Sequence, residues 1–388
     1  MLQNPELHYL DNAATTIVAP EVADVIDKAM REHWANPSSL YGPGARSEEA
    51  LNAARAAVAR TLGCKAKELY FTSCGSESNN LALLGAALTR KFGKGIVVSG
   101  FEHPSVQRPL EDLAKRGYNV TVVKPRADGT LDINEMLEHV GKNTILVACM
   151  MVNNEIGTRN DVERLAAEVK RRNSRTIVHV DAVQGFGKAR IYPKRMNIDM
   201  LSVSGHKIHA PKGTGFLFIK DKTKVKPLIY GGGQQKGMRS GTENVPGVAA
   251  LGEAAEEIYE NFEEKIDHLY QIKQRFVEGV LKIEGVSVNG KTGRDSAPQI
   301  VSVSIDGVRS EVMLHTLEDR KIYVSAGSAC SSNKPSVSHT LTNIGLKGSL
   351  LDSTIRFSFS VHTTEEEIDY ALEVMNEVVP KLRRYTRK

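Results

Sequence analysis

Apolar residues fall in runs of strand length, separated by helical periodicity, over most of the first 220 positions. Ser47 offers an N-cap to a helix carrying Leu51, Ala54, Val58 and Leu62, which Gly63 would close. A short strand from Glu68 to Thr72 precedes a Leu- and Ala-rich helix over 77–90, and Ile96 to Ser99 reads as the next strand. The alternation continues with helices near 105–117, 132–140 and 161–172. Strands fall between and after them at Val120–Val123, Thr144–Val152, Thr176–Asp181, Met200–Ser204 and Gly215–Ile219. Strands spaced by helices of about 10–15 residues predict βαβ units and a mostly parallel sheet, an α/β architecture.

The pattern changes near Gly231. From Pro246, about 40 residues read as one helix without turn signals, too long for a compact unit and suited to joining two domains. Beyond it the pattern gives strands at Gln299–Asp306, Ile322–Val324 and Thr354–Ser360 and a helix near 309–318. Thr364 and Glu367 form a capping box for a last helix with Ile368, Leu372, Met375 and Val379 on one face. This second region predicts a small α+β domain at the C-terminus.

Composition narrows the class. With 388 residues, 41% hydrophobic and 25% charged, the chain can bury real cores and is neither collagen-like, disordered nor a disulfide scaffold. Its longest unbroken apolar run, Ile145–Val152, is far short of the roughly 20 residues of a membrane helix. The first residues have neither a basic start nor an apolar stretch, so a cytoplasmic protein is expected. A net charge of +5 is mild. The one basic cluster, Lys381–Lys388, closes a helix as a solvated tail, so no direct nucleic-acid partner and no membrane partner are expected. The four cysteines, Cys64, Cys74, Cys149 and Cys330, include no C-x-x-C pair and read as thiols rather than bridges.

No zinc-protease, nucleophile-elbow or P-loop motif occurs. Polar residues instead gather at the carboxyl ends of the expected strands, the edge where open α/β sheets bind ligands. Thr72–Ser78 lies between strand and helix, where free amides and small hydroxyl residues suit a phosphate. Asp181 places a carboxylate at a strand end, and Lys207 follows the strand ending at Ser204. A desolvated lysine there becomes a nucleophile toward carbonyls. Phosphate cradle, carboxylate for a ring nitrogen and Schiff-base lysine together are what pyridoxal 5'-phosphate needs.

These residues sit within a longer series: Tyr9–Thr15, Asn36-Pro-Ser-Ser39, Thr72–Ser78, Glu102-His-Pro104, Asn153–Gly157, His179–Asp181, Ser204–Lys207, Arg239–Asn244, Gly327–Cys330, Ser353–Ser358 and Thr363–Asp369. With them the sequence resembles the cysteine desulfurases, the NifS/IscS-like branch of the fold-type I (class V aminotransferase-like) pyridoxal phosphate enzymes. The resemblance implies a large cofactor domain over 15–260 and a small domain made of 1–14 and 261–388. It implies that Lys207 carries the cofactor, Asp181 pairs the pyridine nitrogen, His103 stacks on the ring as an acid/base, and Asn154 and Gln184 contact the phenolic oxygen. Gly75, Ser76, Ser204, His206 and, from the partner of a homodimer, Thr242 would hold the phosphate. Arg356, with Asn154 nearby, would clamp the carboxylate of L-cysteine. Cys330, flanked by Gly, Ser and Ala in what reads as a loop, would accept the sulfur as a persulfide, leaving L-alanine. An iron–sulfur scaffold protein would receive it, with Cys330 a transient cluster ligand. An aminotransferase or selenocysteine lyase of the same fold, a tRNA-thiolation sulfur donor and a non-catalytic carrier are the alternatives. Two departures stand out: Cys74-Gly75-Ser76 replaces the family's Gly-Ala-Thr, which reads as added backbone freedom, and Asn333-Lys-Pro-Ser336 replaces Leu-Glu-Pro-Ser.

Overall fold

The computed structural model describes residues 6–326 and 338–385. Its first strand, β1 (His8–Tyr9), pairs in parallel with a strand from the far end of the chain, and the principal sheet follows. That sheet holds β2 (Leu69–Thr72), β3 (Gly95–Ser99), β4 (Asn119–Val123), β5 (Thr144–Met150), β6 (Ile177–Asp181), β7 (Met200–Ser204) and β8 (Gly215–Ile219). The strands run in the order β2-β8-β7-β6-β5-β3-β4. From β4 to β7 every pairing is parallel, and β8 runs antiparallel to both of its neighbours. Every residue of β5, β6, β7 and β8 is buried, as expected of mostly apolar strands covered on both faces.

The covering helices come from between the strands: α1 (Pro20–Glu32), α2 (Gly42–Leu62), α3 (Gly75–Ala87), α4 (Pro104–Lys115), α5 (Ile133–Glu138), α6 (Val162–Arg172), α7 (Val245–Tyr259) and α8 (Phe262–Val280). Two sequence expectations need correcting here. α2 starts five residues before Ser47, with Pro43 in its first turn, where a missing N–H costs nothing. The Ser47 hydroxyl is inside the helix and donates to the His33 carbonyl at 3.0 Å, a tertiary contact that the local pattern does not carry. The 40-residue helix is two helices. Glu260 leaves the helical region at ψ 134° and ends α7, Asn261 adopts a left-handed φ of +46° before α8, and Phe262 stacks on Tyr259 with ring centroids 5.1 Å apart across the break.

A second, antiparallel sheet is built from β9 (Val286–Asn289), β10 (Ile300–Ile305), β12 (Ser325–Ala326) and β13 (Thr354–Ser358), ordered β12-β13-β10-β9. With it are α9 (Ser310–Asp319), β11 (Ile322–Tyr323), which is the partner of β1, α10 (His339–Asn343), α11 (Ser349–Asp352) and α12 (Glu365–Tyr385). The capping box forms as expected: the Thr364 amide donates to Glu367 Oε2 at 2.9 Å and the Glu367 amide to Thr364 Oγ1 at 3.3 Å. Phe276 of α8 packs against Phe357 and Phe359, which fixes this sheet on its helices.

Candidate active site

The carboxyl ends of β5, β6 and β7 open onto a cavity of about 230 Å³. Ten of the twelve residues named from the sequence line it: Gly75, Ser76, His103, Asn154, Asp181, Gln184, Ser204, His206, Lys207 and Arg356. Thr242 does not, and its residue is exposed. Cys330, with the rest of its expected loop and the Asn333–Ser336 departure, lies outside the described residues. A larger hollow of about 900 Å³ lies at the opposite, amino-end edge of β3, β4 and β5 and holds none of the candidates.

Lys207 sits in the single 3-10 turn that follows β7. Its amine donates to the carbonyls of Ala13 and Ala14, both at 2.6 Å, so the N-terminal segment forms one wall. That segment is itself pinned: Gln184 Nε2 donates to Ala13 O at 3.0 Å, and the Ala13 amide donates to Ser358 Oγ at 2.8 Å. His206 shares Thr15 Oγ1 at 3.1 Å through Nδ1. Burial and the nearby charges of Lys207 and Lys212 push its pKa down to about 4, so the ring is neutral.

α3 begins at Gly75 with no side chain capping it, because Cys74 at the N-cap makes no such bond. The first amides of a helix have no partner within it and favour an anion. Gly75 is less loose than the sequence implied. A Cβ there would lie 2.7 Å from Val183 Cγ2, so the glycine makes room for a neighbour rather than supplying freedom. Ser204 Oγ, buried beside it, has no hydrogen-bond partner among the described residues, as expected of a group that meets a ligand oxygen. Glu77 of the same turn accepts from the Ser73 amide and from Arg239 Nε at 2.8 Å, which ties the segment bearing Thr242 to this helix start.

Asp181 is buried at the end of β6. Burial raises its pKa, against the Val183 amide at 2.9 Å and Asn79 Nδ2 at 2.7 Å, which favour the charged form. Such a carboxylate is ready for a protonated ring nitrogen. His103 caps α4, its Nδ1 accepting from the Ser105 amide at 3.1 Å. Arg356 reaches the cavity from β13. Its Nη1 donates to Asn154 O at 2.9 Å and its Nη2 to Asp11 Oδ1 at 2.8 Å, while its buried Nε has no partner among the described residues. An anion-binding helix start, an unpartnered serine, a buried carboxylate and a lysine around one small cavity fit pyridoxal phosphate, and a guanidinium with donors left over fits a substrate carboxylate.

Asn79, Ser105 and Asp11 were not picked out from the sequence. Asn79 and Ser105 lie mid-helix and one residue past a helix-opening proline, where only the tertiary contact marks them. Asp11 stood within the N-terminal motif without a role. Two further thiols are unreactive in setting: burial pushes Cys64 up to about 12 and Cys149 well above the ordinary thiol range, while Cys74 lines the cavity.

The Aminotransferase class-V family profile matches residues 8–371. Similar curated proteins include a cysteine desulfurase of Trichormus azollae, 40% identical over 376 residues that make up 97% of this chain and 93% of that protein. Another is the cysteine desulfurase IscS of Methanosarcina thermophila, 39% identical over 97% of this chain and 92% of its own length. Among solved structures, a NifS-like protein superposes with a TM-score of 0.91 at 34% identity, covering 96% of this chain and 99% of that one. The apo structure of a cysteine desulfurase from Thermococcus onnurineus NA1 gives 0.88 at 27% identity, covering 97% and 95%.

Proposed function

The chain belongs to the class V aminotransferase family, and from that premise we infer that it is a pyridoxal phosphate-dependent cysteine desulfurase. The observation that carries this reading is the convergence of Lys207, Asp181 and Arg356 on one cavity, beside an uncapped helix start. Bound there, pyridoxal phosphate supplies an electron sink for the substrate α-carbon.

The residues would divide the work as follows. Gly75, Ser76, Ser204, His206 and the first amides of α3 hold the phosphate, and Asp181 holds the proton on the ring nitrogen. Gln184 and Asn154 contact the phenolic oxygen, and His103 covers the ring. Arg356 binds the carboxylate of L-cysteine and Lys207 carries the cofactor and moves the α-proton. The Cys330 thiolate attacks the substrate sulfur: an S–S bond forms, the C–S bond breaks with its electron pair going to carbon, and protonation there yields L-alanine.

The persulfide is then passed on, and an iron–sulfur scaffold protein is the acceptor we propose, with Cys330 able to ligate the cluster transiently. We also propose a homodimer in which Thr242 completes the partner's phosphate site. Supporting it, Thr242 is exposed, and Trp34, Leu40, Tyr41, Ile229 and Tyr230 expose large apolar side chains. A large domain over 15–260 and a small one of 1–14 with 261–388 accord with the break at Asn261 and the pairing of β1 with β11. Among the described residues no helix is long and apolar enough to cross a membrane, and a cytoplasmic location is part of the same proposal.

Brief exposure of the protein to L-cysteine, followed by peptide mass spectrometry, tests the reading. One extra sulfur is expected on the peptide containing Cys330, and Cys330→Ser should bind L-cysteine yet release almost no alanine. Sulfur on Cys64, Cys74 or Cys149, with Cys330→Ser fully active, would overturn it.

A further inference from the structure

His103 caps α4 in a way that decides where its ring proton sits. A backbone N–H can only donate, so the Ser105 amide at 3.1 Å requires Nδ1 to present its lone pair. Ser105 Oγ lies 2.8 Å from the same nitrogen. The hydrogen of that hydroxyl is available for it, because Ser105 Oγ already accepts from Asn79 Nδ2 at 2.9 Å. The second N–H of the same amide goes to Asp181 Oδ2 at 2.7 Å. Asn79 is fully buried, and turning its amide over would set its oxygen against the Asp181 carboxylate. Four side chains from β6, α3 and the start of α4 thus form one directed chain: Asn79 donates to Asp181 and to Ser105, and Ser105 donates to His103.

Resting on the reading of this cavity as a pyridoxal phosphate site, we propose that Asn79 and Ser105 are positioning residues that hold His103 as the neutral imidazole with its proton on Nε2, so that His103 serves the reaction as an N–H donor rather than as a proton acceptor. Nε2 already carries a proton, and Nδ1 is closed to one by two donors. To become cationic the ring would have to break the cap of α4. The charged groups around it act in opposite senses: Asp181 favours a cationic ring and Lys207 opposes it, while burial, the largest influence, also favours the neutral form. One amide therefore sets both the carboxylate for the ring nitrogen and the imidazole beside it.

The test is the nitrogen spectrum of the full-length protein labelled with ¹⁵N-histidine, before and after adding pyridoxal phosphate, with His103 assigned from a His103→Gln variant. In the wild type Nε2 should be protonated and Nδ1 a hydrogen-bond acceptor at neutral pH. Ser105→Ala, which keeps the backbone donor, should move the His103 titration up by about half a unit to one unit, the worth of one neutral hydrogen bond. Ser105→Thr should restore it, which a purely structural role for the serine would not require. Asn79→Leu, which leaves the backbone donor in place, should keep the proton on Nε2, move the titration up by less than Ser105→Ala does, and give faster loss of pyridoxal phosphate. A wild-type proton on Nδ1, or an unmoved titration in Ser105→Ala, overturns the proposal. The spectra before cofactor addition decide it alone; failure of pyridoxal phosphate to bind would instead count against the function assigned to the cavity.

Discussion

Two helices begin at the wall of the same cavity and use their starts in opposite ways. α3 begins after Cys74, which caps nothing, so its first amides are left for an anion beside Ser76 and Ser204. α4 begins after His103, whose ring takes up one amide itself. Both starts carry the same partial positive charge. What differs is the residue at the N-cap: a thiol that leaves the start open to a ligand, or an imidazole that closes it and thereby orients itself. A helix N-terminus is a binding site only when its own sequence declines to occupy it.

The largest expected effect comes from closing the open start. Cys74→Asp would cap α3 and place a negative charge where the phosphate is proposed to sit, so the dissociation constant for pyridoxal phosphate, measured by equilibrium dialysis, should rise at least about tenfold. Thermal stability without cofactor should rise slightly, by about 1 kcal/mol at most. Equal cofactor retention in both proteins would remove α3 from the phosphate site. Next is Glu102, just outside the closed start. Its Oε1 accepts from the Met150 amide at 2.6 Å, Oε2 has no partner among the described residues, and burial raises its pKa to about 8. A carboxyl with a raised folded pKa loses stability as pH climbs from its unfolded value near 4.5 to about 8. Glu102→Gln escapes that loss, so its melting temperature relative to wild type should climb between pH 5 and 8 and level off above. A constant difference across that range would contradict the burial argument. The smallest effect is at the closed start itself: His103→Ala should cost about 1 kcal/mol of stability at pH 7.5, the value of one N-cap, seen as a small drop in melting temperature.

The sequence was informative where one local signal decided the structure. The strands β5 to β8 follow from apolar runs that only a doubly covered sheet can use, and Lys207 and Asp181 stand at strand ends where periodicity stops. It misled where a tertiary partner outweighed the local preference. Ser47 looks like a cap until His33 supplies a carbonyl for it, and nothing in the apolar pattern between Pro246 and Val280 announces that Asn261 turns left-handed. β1 is two residues long and has no periodicity to read; its pairing with β11 spans most of the chain. Asn79 and Ser105 carry roles only because α3 and α4 bring them to the same point.

The segment over Lys207 has a consequence for how the protein is made. Ala13 and Ala14 are made long before the groups that fix them: Lys207 comes 194 residues after Ala13 and Ser358 comes 345 after it. Contacts of such sequence separation form late and slowly. The wall beside Lys207 can therefore be fully pinned only after β13 has been made. A nascent chain stalled before β13 can have its principal sheet but not this enclosure, so under the role proposed for Lys207 capture of a reactive aldehyde waits until β13 has been made.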